Sequence, residues 1–387
     1  MRTRIIGVGA AGNKAAISAV VNKIISVDNV LLINSTLKDI PADYKGHTYC
    51  FPDSYGGCGK ERKIAKDLTL RALQGASLDL KDFLKINDAD EDQAELVVLV
   101  SSTEGGTGSG SVPLLAKYIR EVFKIKVHCF AFTGFEEDGR GLRNTVEYFQ
   151  EMQENFTIEC IQNSKYLKRF NNNKLKAEKQ ANIDFCKKVS ILFGNPLVDS
   201  EHNIDNTDLL KISTVPGYMI IETKEFSKIK NRQEFRELVQ SMIDESTTLD
   251  LNKKSQKKLA VMINISKDST DIIDYHDILT EAFGVCFEIF EHIQHEDTEP
   301  EFIAFISAGL HIPMDEIETI YKKYEQHVAQ VEVSKDGFFT KSFDFKDGGM
   351  FDLDKEEQGI SEADFFNSIK NETPKNNKVK SDVTSSY

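Results

Sequence analysis

The 387-residue sequence lacks several features that would assign it to a common protein class. Its six cysteines are scattered and form no C-x-x-C pair, so neither a disulfide framework nor a zinc site is indicated. No apolar run reaches membrane-spanning length, and no signal-peptide core follows the first residues. The net charge of −14 argues against general affinity for nucleic acid or anionic membranes. We therefore expect a cytoplasmic protein with buried thiols, no membrane insertion and no direct sequence-specific DNA binding.

Short apolar runs alternate with amphipathic stretches through about the first 165 residues. The runs are RIIGV (4–8), VLLIN (30–34), ELVVLVS (95–101), KVHCFAF (126–132) and FTIECIQ (156–162). Such alternation, with strands that are apolar throughout, predicts a parallel sheet covered by helices on both faces. A second block has strand candidates at 217–222, 258–265, 285–291 and 301–307, followed by a helix candidate at 313–331.

The pattern predicts an α/β protein divided into four segments. A Rossmann-like parallel-sheet domain covers 1–173, and a long central helix with the start of the following loop covers 174–203. A smaller α+β C-terminal domain with a long terminal helix covers 204–335. The last part of the chain is acidic, contains several phenylalanines and ends in TPKNNKVKSDVTSSY. This composition predicts a disordered tail at 336–387.

The first glycine-rich stretch is GVGAAGN (7–13), directly after the first predicted strand. Gly7, Gly9 and Gly12 match G-x-G-x-x-G, which opens a remote alternative, an NAD(P)-dependent oxidoreductase. That alternative requires an acidic residue at the end of the second strand to hold the ribose. The second strand ends in Asn34, followed by Ser35, so the pattern weighs against a dehydrogenase.

The second stretch, TEGGTGSGS (103–111), lies between an apolar strand and a helix, yet has no P-loop lysine. Its small residues allow backbone N–H groups to wrap a di- or triphosphate, and Thr107 and Ser109 add hydroxyl donors. A third cluster, YGGCGKERK (55–63), is open to two interpretations. It either approaches a terminal phosphate, with Lys60 or Arg62 nearby, or forms an ordinary surface turn.

Two phosphate loops without a lysine, at the ends of neighbouring strands, resemble the tubulin/FtsZ superfamily of GTPases. GVGAAGN and GGTGSGS (105–111) stand where that family has its first phosphate loop and its tubulin signature, although Glu104 replaces the usual first glycine. The resemblance implies GTP or GDP with Mg²⁺. It assigns nucleotide contacts to Gly9, Ala10, Ala11, Gly12, Asn13, Asn34, Gly57, Gly105, Gly106, Thr107, Gly108, Ser109 and Gly110.

The resemblance also assigns contacts to the nucleoside. FTGFEEDGRGLRNTVE (132–147) matches the family's ribose loop, with Glu137 as the glutamate and Arg140 or Arg143 as the arginine. Asn163, in QNSKYL, and Asn182, in ANIDF, match two amides that read guanine, whose edge offers both donors and acceptors. Glu178 stands where the family has the ring that stacks on the base.

The segment NIDNTDLLK (203–211) carries the family's N-x-D-x-x-D pattern in Asn203, Asp205 and Asp208. Spacing alone places two carboxylates on one face at a helix start, where capping is a sufficient explanation. The resemblance implies a catalytic role instead, in which the acids polarise the attacking water in the next subunit. Such a head-to-tail interface does not close on itself and generates filaments.

The C-terminal part favours one group within this family. AFISAGLHIPMDEIETIYKKYEQ (304–326) resembles the plasmid and phage tubulins, TubZ and its relatives. That resemblance implies DNA segregation or positioning through a small DNA-binding adaptor protein, with Lys375, Lys378 and Lys380 either contacting adaptor or DNA or simply solvated. An FtsZ-like cell-division protein is the alternative, against which the absence of a terminal DIPAFLR-type peptide counts.

Two histidines in EHIQHE (291–296) have a spacing that permits metal ligation. A solvated helix or loop face is the favoured interpretation, and no metal site is predicted.

Overall fold

A computed structural model describes residues 1–52, 56–86, 92–152, 156–198, 200, 203–227, 229–251, 254–297, 300–336 and 361–372. Within these ranges the chain forms ten strands. They are β1 (Thr3–Val8), β2 (Val30–Asn34), β3 (His47–Cys50), β4 (Leu96–Ser102), β5 (Lys126–Thr133), β6 (Thr157–Gln162), β7 (Gly217–Glu225), β8 (Lys258–Asn264), β9 (Glu288–Gln294) and β10 (Phe302–Leu310).

Helices connect and cover these strands. They are α1 (Gly9–Val21), α2 (Arg62–Gln74), α3 (Leu80–Leu84), α4 (Gly106–Val122), α5 (Gly139–Met152), α6 (Asn163–Arg169), α7 (Lys174–Leu192), α8 (Asn206–Ser213), α9 (Arg232–Asp244), α10 (His276–Phe283), α11 (Met314–Asp336) and α12 (Glu362–Glu372). In the ranges given above, none of these helices combines the length and the apolar character needed to cross a membrane.

All ten strands belong to one sheet, in the order β3-β2-β1-β4-β5-β6-β7-β10-β8-β9. β10 runs antiparallel to both of its neighbours, and the other neighbouring strands are parallel. β6 and β7 are joined through two residue pairs, Thr157 with Gly217 and Ile158 with Tyr218. The predicted α/β fold with a parallel sheet is confirmed, while the predicted domain boundaries stay predictions because the sheet is continuous across them.

The sheet is buried on both faces. Alternate residues of β4 point to opposite sides, so that Val97 and Leu99 join one apolar cluster and Val98 and Val100 join the other. Helices α2, α4, α5, α9, α10 and α11 cover the first face, and α1, α7 and α8 cover the second. Burial on both sides explains why these strands read as continuous apolar runs.

β9 differs from its predicted position and character. It begins three residues later than the run at 285–291, and the side chains of Val285 and Phe287, which precede it, are exposed. The expectation that EHIQHE forms a solvated helix or loop face is wrong. His292 and Gln294 lie two residues apart on this strand, and both are 1% exposed.

Part of the segment predicted as a tail forms helix α12, which packs against α4. The rings of Tyr118 and Phe365 are stacked with centroids 6.0 Å apart, and Lys117 Nζ lies 4.0 Å from the ring centre of Phe366. Lys117 also pairs with Glu362 at 3.3 Å. Adjacent buried phenylalanines supply an apolar helix face that the acidic composition of the segment concealed. The rest of the predicted tail lies outside the described residues.

Candidate functional site

The two predicted phosphate loops meet at the carboxyl ends of β1 and β4. Gly9 has a φ of +75°, and a Cβ there would lie 3.1 Å from the backbone nitrogen of Gly108. A Cβ on Gly108 would in turn lie 3.0 Å from the carbonyl oxygen of Val8. Glycine is therefore required at both positions because the two backbones are in direct contact.

Most of the second glycine-rich stretch is helical rather than a loop. α4 begins at Gly106, its N-cap Gly105 provides no side-chain cap, and Gly106–Gly110 are buried in its first turns. The first N–H groups of a helix have no partner within the helix and carry its positive dipole end, so this terminus suits a phosphate. The Ser109 hydroxyl donates to the Gly105 carbonyl, and the Thr107 hydroxyl lies 2.7 Å from that of Ser35.

The third glycine cluster lies against the start of α4. A Cβ on Gly106 would be 2.7 Å from the Glu61 nitrogen, and Asn144 Nδ2 donates to the carbonyls of both Lys60 and Glu104 at 2.9 Å. Asn144 thus ties the Lys60 loop, which also contains Gly57, to the second phosphate loop. No local pattern pointed to Asn144, because its partners are distant in the sequence.

The charged groups of this loop are already paired. Lys60 forms an ion pair with Asp138. Arg62 is buried, donates to the Ser109 carbonyl at 3.0 Å and pairs with Glu147 at 2.9 Å. Lys60 is therefore the more exposed of the two basic side chains considered for a terminal phosphate.

Glu104, which stands at the position of the signature's usual first glycine, packs its side chain against two other glycines. Its Oε1 accepts from the backbone nitrogen of Glu136 at 2.9 Å, and its carboxyl group packs on Gly134 and Gly141. A Cβ on Gly134 would lie 1.8 Å from Glu104 Cδ. Burial raises the pKa of the Glu104 carboxyl. The larger side chain is accommodated because the facing positions have none.

A cavity of about 190 Å³ lies beside the first phosphate loop. Its lining brings together Asn163, at the start of α6, and Asn182, in the middle of α7, as the sequence analysis expected. Lys14 and Glu178 also line it and form an ion pair at 3.3 Å. The remaining lining residues are Ala10, Ala11, Phe132 and Ala181. Lys14, Phe132 and Ala181 are additions to the predicted set.

Two buried asparagines at this edge have side-chain atoms without a protein partner. Both side-chain polar atoms of Asn13, which is fully buried, and Oδ1 of Asn163 make no hydrogen bond. An unsatisfied buried polar group costs roughly 1–3 kcal/mol, so such groups are usually explained by a ligand, water or function. Amides that can both donate and accept fit a polar ligand such as a nucleotide. Asn34 differs, because its amide bonds to Asp39 and to the Ser35 nitrogen.

The predicted ribose-loop residues are engaged in surface ion pairs. Glu137 pairs with Lys174 at 2.5 Å, Arg140 pairs with Glu61, and Arg143 pairs with Glu147. None of the three predicted residues is among those that line the cavity described above.

The neighbouring Glu136 is more central than Glu137. Its carboxylate accepts from Ser164 at 2.9 Å and from Gln162 at 3.4 Å, the residues on either side of Asn163. It also pairs with Lys323 of α11. Burial alone would raise the pKa of Glu136, but the Lys323 hydrogen bond and charge lower it below its ordinary value. Of these two adjacent glutamates, Glu137 was the predicted site residue and Glu136 was not predicted.

The acids of NIDNTD form the start of α8. Asp205 is the N-cap, and its Oδ1 accepts from the backbone nitrogens of Thr207 at 2.7 Å and Asp208 at 2.9 Å. Asp208 accepts in return from the Asp205 nitrogen and pairs with Lys211 at 3.2 Å. The Asp208 amide lowers the pKa of the Asp205 carboxyl. Asn203 makes two hydrogen bonds with Ser200 in the preceding loop: its Oδ1 accepts from the Ser200 nitrogen, and its Nδ2 donates to the Ser200 carbonyl.

α8 lies at the opposite edge of the sheet from the phosphate loops. At its end, the Ser213 carbonyl lies 3.0 Å from Nδ1 of His128 near the start of β5, and Thr157, at the start of β6, donates to the Val215 carbonyl. The cavity residue Asn163 follows the other end of β6. Strands of this length span roughly 20–25 Å. The end of α8 and the cavity of one chain are therefore separated by the depth of the sheet, and Asp208 lies five residues before that end.

Comparison with known proteins agrees with this geometry. The Tubulin-like protein TubZ of Clostridium botulinum C phage is 27% identical over 198 residues, a match that spans 50% of this chain and 52% of that relative. No family model matches the chain.

Solved structures share the fold over most of the chain. Clostridium botulinum phage c-st TubZ superposes with a TM-score of 0.65 at 16% identity, covering 85% of this chain and 99% of that one. CetZ2 from Haloferax volcanii, solved as a GTPγS-bound protofilament, gives 0.68 at 15% identity, covering 86% and 100%. FtsZ from M. jannaschii gives 0.59 at 18% identity, covering 80% and 88%. The chain therefore shares the fold of these TubZ, CetZ and FtsZ structures, and about half of it is similar in sequence to a phage TubZ.

Proposed function

We propose that the chain is a GTPase that hydrolyses GTP to GDP and phosphate only when subunits assemble head to tail. The observation that carries the proposal is the placement of phosphate loops and carboxylates at opposite edges of one sheet. The carboxylates of one subunit reach a nucleotide only if that edge packs against the other edge of the next subunit. Repetition of this heterologous contact builds a filament.

Guanine nucleotide is the ligand that suits the carboxyl edge. The α4 N-terminus and the backbone of the first loop hold the phosphates, and Asn163 and Asn182 read the base in the cavity. Across the described ranges, no cluster of three or more His, Cys, Asp or Glu side chains could hold a metal ion. This suits Mg²⁺, which takes most of its ligands from phosphates and water.

At the interface, Asp205 and Asp208 act on the neighbour's nucleotide. Carboxylates close to the terminal phosphate orient and polarise the attacking water, while the neighbour's helix terminus stabilises the phosphate charge. Asn203 holds the loop that carries them. CetZ2, whose solved structure is a protofilament, gives a precedent for assembly in this fold.

The cellular role that we propose is segregation or positioning of plasmid or phage DNA in the cytoplasm, by similarity to TubZ. The net charge of −14 favours an adaptor protein over direct DNA contact. Lys375, Lys378 and Lys380, which the sequence analysis considered for this contact, lie outside the described residues.

The test is GTP turnover measured against protein concentration, together with pelleting and electron microscopy in GTP, GDP and a slowly hydrolysed GTP analogue. We expect turnover per molecule to rise steeply above a threshold concentration at which filaments appear. Turnover strictly proportional to concentration, with no threshold, would show that each subunit carries a complete site and would overturn the proposal.

A further inference from the structure

Two buried side chains of β9 contact the loop that carries the proposed catalytic acids. His292 and Gln294 lie on the same face of the strand, two residues apart, and both are almost completely buried. The loop from Pro196 to Ile204 connects α7 to Asp205, and in sequence it is about 90 residues away from these two side chains. Their contacts with it are tertiary rather than local.

The hydrogen bonds fix the orientation of the histidine ring. The backbone nitrogen of Ile204 donates to Nδ1 of His292 at 3.3 Å, so Nδ1 is an acceptor without a proton. Nε2 then carries the proton and donates to Oε1 of Gln294 at 2.9 Å. The ring is therefore the neutral tautomer, because a second ring proton would face the Ile204 N–H.

Gln294 extends this network to the other end of the loop. Its Oε1 also accepts from the Val198 nitrogen at 3.0 Å, and its Nε2 donates to the Pro196 carbonyl at 3.1 Å. The strand thus holds the loop at its beginning and at Ile204. Ile204 directly precedes Asp205, the N-cap whose carboxylate bonds to Asp208.

We propose that His292, supported by Gln294, is a positioning residue for GTP hydrolysis in the neighbouring subunit. It sets the backbone at Ile204, and through that backbone it sets where Asp205 and Asp208 stand when α8 meets the next nucleotide. The inference rests on the proposed function. A displacement of about 1 Å at a catalytic group can lower a rate about 10²-fold, so a distant hydrogen bond is able to control turnover.

The second histidine of the same motif has a different partner. His295 Nδ1 lies 2.6 Å from the Ile265 carbonyl. The pair therefore does not converge on a metal, and the spacing that suggested one instead reflects two separate backbone contacts.

The test compares His292→Asn with His292→Leu. An asparagine places Oδ1 close to the position of Nδ1 and keeps an acceptor for Ile204, whereas leucine fills the space without one. Measurements are GTP turnover per polymerised subunit, the amount of filament pelleted with a slowly hydrolysed analogue, and nucleotide affinity. We expect leucine to lower turnover by about 10- to 100-fold, with the other two quantities unchanged, and asparagine to restore turnover to within about threefold.

Three results would overturn the inference: undiminished turnover in His292→Leu, equal losses in the two variants, or a loss that only follows the loss of filaments. If His292→Leu does not fold, Gln294→Met decides, because it removes the Val198 and Pro196 contacts at similar volume. We expect a reduced turnover there as well, and wild-type turnover would refute the role. Absence of assembly-dependent turnover in the wild-type chain would instead refute the proposed function and remove the basis of the inference.

Discussion

Polar groups at the carboxyl edge of the sheet, where β1 and β4 end, differ in their hydrogen bonding from those at the opposite edge, which we call the amino edge. At the carboxyl edge, the buried amide of Asn13 and Oδ1 of Asn163 lack protein partners, and α4 begins without a side-chain cap. At the amino edge, Asp205 and Asp208 satisfy each other's helix-terminal backbone groups. One edge has unpartnered polar atoms that suit a ligand, and at the other edge the two acids already bond to each other's backbone. This difference is what a site divided between two subunits requires.

The largest expected effect comes from removing an acid at the amino edge. Asp208→Ala should lower GTP turnover by about 10²- to 10⁴-fold and leave nucleotide affinity unchanged, since the proposed nucleotide site lies at the other edge. Filaments should persist longer, which electron microscopy would show.

Asp208→Asn is the matched control, because it keeps an acceptor for the Asp205 nitrogen without the charge. If turnover is lost equally in the asparagine variant, the charge is responsible. Wild-type turnover in both variants would contradict the division of labour between the edges.

Acid should weaken the amino edge through His128, which donates from Nδ1 to the Ser213 carbonyl at the end of α8. Burial lowers the pKa of His128 to about 4. Because the folded pKa lies below the unfolded value of about 6.5, the stabilisation is complete above that value and is lost as pH falls. The free energy of unfolding should therefore fall by about 2 kcal/mol between pH 7 and pH 5.

Urea unfolding of the wild type and of His128→Asn at the two pH values would measure this contribution. The asparagine keeps a donor for Ser213 but does not titrate in this range, so its pH dependence should be weaker by that amount. Parallel pH profiles would show that His128 does not carry the effect.

The smallest expected effect concerns backbone contact at the carboxyl edge. Gly106→Ala places a Cβ 2.7 Å from the Glu61 nitrogen and should lower the free energy of unfolding by about 1–3 kcal/mol. Gly105→Ala, where a Cβ meets nothing within 4 Å, should cost less than about 1 kcal/mol. Denaturant unfolding without nucleotide distinguishes the two, and equal losses would contradict the close approach of the Lys60 loop.

Much of the fold could be predicted because the parallel strands are buried on both faces and read as apolar runs. β2 matches its predicted bounds, and β1, β4, β5, β6 and β8 each match theirs to within one residue at either end. β3, short and partly exposed at the sheet edge, gave no such signal. β9 was displaced because the exposed Val285 and Phe287 resemble strand residues in composition.

Local sequence patterns indicated those parts of the candidate site whose residues are close together in the sequence. Residues that depend on distant partners were missed. Glycine patterns located the two loops that meet at the ends of β1 and β4, and the i,i+3 acids located the capped helix. Asn144, Glu136 and the bond between His292 and Ile204 involve partners 26 to 187 residues apart in sequence, and no local pattern encodes such contacts. Period-two alternation along β9 would have placed His292 beside Gln294, if the segment had been taken as a strand.

The capping box at α8 also bears on how readily subunits associate. Ordering a mobile side chain at an interface costs about 0.5–1.5 kcal/mol of conformational entropy. Asp205 and Asp208 are already held in the free subunit by bonds to each other's backbone. The entropy of these two side chains is therefore lost when the monomer folds. Its loss adds no cost to association and does not raise the protein concentration at which filaments would first form.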